Sequence, residues 1–105
     1  MTDRELLELA AKAAGMDIEW QPCGWAHDNN TGCEWNPITD DGDEARLEAA
    51  LGLGVLWGSR TVTVGRKHFG PFEERFQEHH GDKQAARRRA GVRAAAAQQA
   101  LEENK

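Results

Sequence analysis

Leu6, Leu9, Ala10 and Ala13 recur at helical spacing, and Leu7 and Ala14 widen the stripe, so the chain opens on an amphipathic helix. Thr2-Asp3-Arg4-Glu5 has the form of a capping box, and Gly15 stands where a left-handed helix end is wanted. The period then changes from helical to alternating. Met16-Asp17-Ile18-Glu19-Trp20 places apolar and acidic residues in turn, which predicts a short strand half-buried on Met16, Ile18 and Trp20. Residues 21 to 34 are rich in Gly, Asn and Asp and read as a loop, with Trp25 as its only large apolar residue.

The most densely specified stretch runs from Trp35 to Leu47. Asn36-Pro37 marks a turn, because a residue before proline is pushed out of the helical region, and Thr39 or Asp41 can cap the helix that follows. Asp40, Asp41, Asp43 and Glu44 crowd its first turn, where the positive end of the helix dipole favours carboxylates. This helix is expected to bury Leu47, Ala50 and Leu51 and to stop at Gly52.

Beyond it, the runs 53–57 and 60–64 flank Gly58-Ser59, a hairpin signal whose register would pair Trp57 with Arg60. Gly70-Pro71 breaks the chain, and the spacing of Phe72 and Phe76 suits one face of a short helix. From Asp82, a plausible cap, the sequence is helix-forming nearly to its end. Its buried stripe of Ala85, Ala86, Val92, Ala96 and Ala100 is thin and Gly91 interrupts it, so the helix must pack closely against the sheet or a second copy of the chain. The pattern as a whole predicts an α+β fold in one domain, 1–105. A small three-stranded antiparallel sheet, including the 53–64 hairpin, would pack against an N-terminal, a central and a long C-terminal helix.

Composition narrows the function classes. At 105 residues, with 39% hydrophobic residues of which many are alanine, the chain has room for one modest core. The net charge of −5 is divided unequally: residues 1–51 carry twelve acids against three bases, −9, and residues 52–105 ten bases against six acids, +4. The basic half can dock on the acidic half or on an anionic partner, and self-neutralisation is the simpler outcome. An acidic chain is disfavoured as a DNA or RNA binder. No apolar run is long enough for a membrane span and no signal peptide is evident, which points to a cytoplasmic protein with Cys23 and Cys33 reduced.

Chemistry-bearing residues are present without a complete motif. The consecutive acids 40–44 lack the alternating ligand spacing of a calcium loop. Cys23, His27, Cys33, His68, His79 and His80 include zinc-ligand types but no Cys-x-x-Cys pair, so neither metal nor cofactor is expected. Cys23 and Cys33 have no basic neighbour to activate a thiolate. Arg88, Arg89 and Arg93 form the sharpest basic feature, and Trp25 and Trp35 are the aromatics best placed to anchor a partner or stack on a ring. With Asn36, Asp40 and Asp41 they make up the candidate binding residues.

The run Trp35-Asn36-Pro37-Ile38-Thr39-Asp40-Asp41-Gly42-Asp43, followed by Ala45-Arg46-Leu47, resembles the Trp-Asn-Pro-Leu-x-Asp-Asp-Gly-Asp-Ala-x-Arg-Leu-Ala pattern of small uncharacterised proteins of tailed bacteriophages and prophages. The opening Met1 to Leu7 and the closing Ala86-Arg87-Arg88-Arg89-Ala90 are similar to the termini of that family, so the likeness covers most of the chain. It departs at Gly91, where the family has a larger apolar residue, and over 58–80. The resemblance implies an origin in an infected or lysogenic bacterium and carries no mechanism. Three functions follow as expectations. The first is a non-enzymatic accessory protein that binds a host or phage protein, with a homodimer through the C-terminal helix. The second is a nucleotide-sequestering anti-defence protein, with Trp25 or Trp35 on the base and Arg88, Arg89 or Arg93 on phosphates. The third, a metal-dependent hydrolase built on His27, Asp40 and Asp41, is disfavoured because no metal is expected.

Overall fold

The computed structural model describes residues 1–66 and 69–104. His68, one of the histidines counted above, lies outside the described residues. Three helices, α1 (Asp3–Ala13), α2 (Asp41–Leu51) and α3 (Lys83–Glu103), combine with six short strands in an α+β architecture. The strands form two antiparallel three-stranded sheets where a single sheet was expected: β1 (Ile18–Trp20), β2 (Ala26–Asp28) and β3 (Cys33–Trp35) in one, β4 (Gly54–Trp57), β5 (Thr61–Arg66) and β6 (Phe69–Arg75) in the other.

The extra sheet arises in the stretch read as loop. Ala26-His27-Asp28 and Cys33-Glu34-Trp35 carry little of the β-branched signature of strands, yet they pair in register with β1, Trp20 opposite Ala26 and Ala26 opposite Trp35. Gly24 and Gly32, at φ 93° and 76°, supply the left-handed residues of the two connecting turns. Trp20, Ala26 and Trp35 therefore form one inward row, and Ala26 and Trp35 are buried.

The helices start and stop largely as their residues dictate. Thr2 and Glu5 make a reciprocal capping box on α1. The cap of α2 is Asp40, not Thr39 or Asp41: its carboxylate accepts from the Asp43 amide at 3.1 Å. Gly52 closes that helix at φ 66°. Asp82 caps α3 through the Ala85 amide at 3.0 Å.

Two expectations in the second half are corrected. The hairpin turn centres on Ser59-Arg60, one residue later than expected, and the Gly58 amide donates to the Thr61 carbonyl at 2.8 Å. Trp57 accordingly pairs with Val62 and not Arg60. This shift of two in partner preserves the alternation of faces, and Val62 and Val64 point inward. Residues 71–75 form no helix but the end of β6, and the short helix of this region is the 3-10 turn Phe76–His79. Phe72, Glu74 and Phe76 follow the period of two, facing inward at the end of β6 and in the short 3-10 turn Phe76–His79, while Glu73 and Arg75 face out. A charged residue on the buried face hid the alternation.

α3 lies at the centre. One of its faces gives Val92, Ala95 and Ala96 to a cluster with Leu6, Leu7, Ala10, Trp35, Leu47 and Leu51; another gives Ala86, Ala90 and Ala94 to a cluster with Val62, Val64 and Phe76. The buried surface is wider than the expected stripe, and Ala85 and Ala100 are only half-buried. Alanine suits a helix enclosed on both sides because it lets two layers approach one axis. The need for a covering partner is thus met within the chain, by α1, α2 and the second sheet.

Candidate functional site

The basic helix docks on its own chain. Arg87 forks onto Glu48 of α2, with its Nε 2.9 Å and a terminal nitrogen 2.8 Å from the two carboxylate oxygens. Arg88 donates to the Ile38 carbonyl at 2.7 Å and to Asp41 at 2.6 Å. Arg89 bonds Asp3 of α1, and Arg93 bonds Glu74 of β6, which also meets His79 at 2.8 Å. The three arginines singled out as anion ligands therefore end on three different elements, each against a carboxylate. Neither Trp25 nor Trp35 is brought to them as a stacking platform: Trp25 lies 6.0 Å from the His27 ring, and Trp35 is buried in the core.

Arg87, absent from the candidate set, is the most embedded of the series because it serves a buried acid pair. Glu44 is 1% exposed and lies against Gly91, where an added Cβ would fall 2.1 Å from its Oε1. Burial first, and then the neighbouring Glu48, push the Glu44 carboxyl up to about 9, so it holds its proton at neutral pH and hydrogen-bonds Glu48. Burial also raises Glu48, but the Arg87 fork and the Glu44 bond outweigh it and hold that carboxyl below its usual value. One proton, two carboxyls and one guanidinium make the α2–α3 seam.

The stretch from Trp35 to Leu47 is an entry device for α2 that also walls a cleft. Trp35 and Pro37 are buried, the Asn36 amide donates to Asp43 at 2.9 Å, and the Asn36 side chain accepts from Ile38 at 3.0 Å. Asp43 in turn holds Arg46 at 2.6 Å. Asn36 and Asp40, with Glu34, Thr39 and Asp43, surround a small recess of about 200 Å³. Asp41 stands on the other side of the turn with Arg88.

Sharing Glu34 and Asp43 with that recess is a cleft of about 360 Å³ between the end of α1, the inward face of β2–β3 and α2. Its apolar lining is Met16, Trp35, Leu47 and Ala50; its polar rim is Asp28, Glu34, Asp43, Arg46 and the Cys33 thiol. Of the candidate residues only Trp35 lies here. Asp43 and Arg46 were legible as part of the motif, whereas Asp28 and Glu34 carried no signal, because turns the pattern did not reveal bring them to α2.

The cleft does not assemble the nucleophile or metal chemistry considered from the sequence. His27 pairs across to Glu34 and Cys33 to Asp28, so imidazole and thiol stand on opposite faces of the sheet. Among the described residues no three His, Cys, Asp or Glu side chains are grouped to hold a metal ion. Nor is any helix among them long and apolar enough to cross a membrane. No family model, curated protein or solved structure matches the chain.

Proposed function

We propose that this is a small phage-encoded accessory protein that works by binding a host or phage protein in the cytoplasm of the infected or lysogenic bacterium, without catalysis. The observation that supports it is the cleft beside Trp35: a buried aromatic and aliphatic floor inside a polar rim, the form of an anchor socket for a protein side chain. The nucleotide-sequestering reading is less well supported, since the guanidiniums it needs are engaged with carboxylates and the cleft rim is acidic.

The test uses the exposed Cys33 thiol at the rim. A photoactivatable maleimide on Cys33, in a Cys23→Ser background, should cross-link one host or phage protein in infected-cell lysate. Filling the cleft with Ala50→Trp should abolish the adduct. An adduct that survives this substitution, or none at all, would sink the proposal.

A further inference from the structure

The cleft contains a carboxylate that the chain itself leaves without a counter-charge. Asp28 is 8% exposed, and its one hydrogen bond is from the Asn30 amide at 2.9 Å. Asp and Glu are rarely buried this far unless paired. The nearby cation, Arg46, is held by Asp43 at 2.6 Å. Glu34, on the same rim, likewise has no cationic side chain within salt-bridge distance among the described residues. The same is true of Asp17, Glu19 and Asp40. Once Arg87, Arg88, Arg89 and Arg93 have met Glu48, Asp41, Asp3 and Glu74, Asp28 is the one buried acid among the described residues left without a basic partner.

We infer that the occupant of the cleft is an arginine or lysine side chain on a basic segment of the partner protein, its alkyl stem on Met16 and Ala50 above the buried Trp35 and Leu47 and its head on Asp28. The inference rests on the protein-binding function proposed above and gives that partner its chemistry. Long basic side chains combine an apolar stem with a charged head, and the cleft offers an apolar floor and an acidic rim in that order. Charge complementarity also disfavours the competing occupants: a phosphate or carboxylate would meet the uncompensated Asp28 carboxylate beside an Arg46 already held by Asp43, and a purely apolar side chain would leave Asp28 buried and unpaired.

The experiment titrates the full chain, followed by amide and indole chemical shifts, with four probes that share one alkyl body: butylguanidinium, butylammonium, butanol and butyrate. Saturable shifts at Asp28, Cys33, Trp35 and Leu47 are expected with the two cations, about tenfold weaker binding with butanol, and none with butyrate. Asp28→Asn should weaken the cations about tenfold, to the level of butanol, without changing shifts elsewhere, and Ala50→Trp should block all probes. Butanol binding as tightly as butylguanidinium would overturn the inference. If that happens while the Cys33 adduct still depends on an open cleft, the protein-binding function stands and only the basic occupant falls. If the cations bind but no protein is captured, a partner protein is excluded as their source and the protein-binding proposal falls with it.

Discussion

Gly91 has a single local cause, the Glu44 carboxyl lying across it. Alanine at an ordinary helix interior is more favourable than glycine by about 0.5–1 kcal/mol. Here the added Cβ would sit 2.1 Å from Glu44 Oε1, and the acid is enclosed on all sides, so Gly91→Ala should instead destabilise by about 1–3 kcal/mol in urea unfolding. Shortening the acid in Gly91→Ala/Glu44→Ala should cost less than the sum of the two single changes; strict additivity would show that the two do not touch. The same residue sets an alkaline limit. Glu44 is raised in the folded chain from 4.5 to about 9, so its contribution is complete below 4.5 and is lost as pH rises toward 9, when the unfolded chain ionises and the folded one does not. Glu48 has the opposite sign: its folded value is lowered, so its contribution is lost as pH falls below the ordinary range. Glu44→Gln keeps the shape and removes the proton, and should flatten the decline in stability between pH 5 and 9; an unchanged slope would assign it to other groups. None of this was legible in the sequence, where Gly91 reads as a flaw and Glu44 as one of several acids near a helix start.

Among elements, the anchoring of α3 can be ranked from the environment of each arginine. Arg87→Ala would leave Glu48 buried and unpaired beside Glu44, at a cost of about 3–5 kcal/mol. Arg88→Ala loses a charge-assisted bond to the Ile38 carbonyl and a pair with exposed Asp41, about 1–2 kcal/mol. Arg89 meets an Asp3 that is mostly in solvent, so Arg89→Ala should cost well under about 1 kcal/mol and fade with added salt. Thermal unfolding of the three variants checks the order, and a larger loss at Arg89 than at Arg87 would contradict it. The −9 and +4 halves favoured a basic helix docked inward but did not by themselves choose it over an anionic partner. Which acid meets which arginine was not implied, because it depends on where the β1–β3 meander and the Pro37 turn place α1 and α2. The elements that escaped the sequence were those whose inward residues are polar or small: Glu74 in β6, and Ala26 and Asp28 in β2. A binary pattern can find only a face that is apolar throughout.

At the scale of the whole molecule, α3 is the element common to two apolar clusters that otherwise share little more than Leu53. α1, α2, β5 and β6 all pack on it, whereas β1, β2 and β3 contact mainly one another. Each strand of that first sheet is three residues long, and its outward row of Glu19, His27 and Glu34 is polar. Free energies of local opening follow buried contacts, so the protein should not exchange its amides as one unit. Native-state hydrogen exchange should find Ala90 to Ala96 opening only with global unfolding. The β1–β3 amides should open through a smaller, sub-global event that exposes Trp35 and the cleft. Saturating the cleft with butylguanidinium should then raise protection in β2 and β3 selectively, because a ligand stabilises only the state that binds it. Equal opening free energies across α3 and the first sheet would mean that Trp35, buried against Leu47 and Leu51, couples the cleft wall to the core as firmly as α3 couples the two clusters.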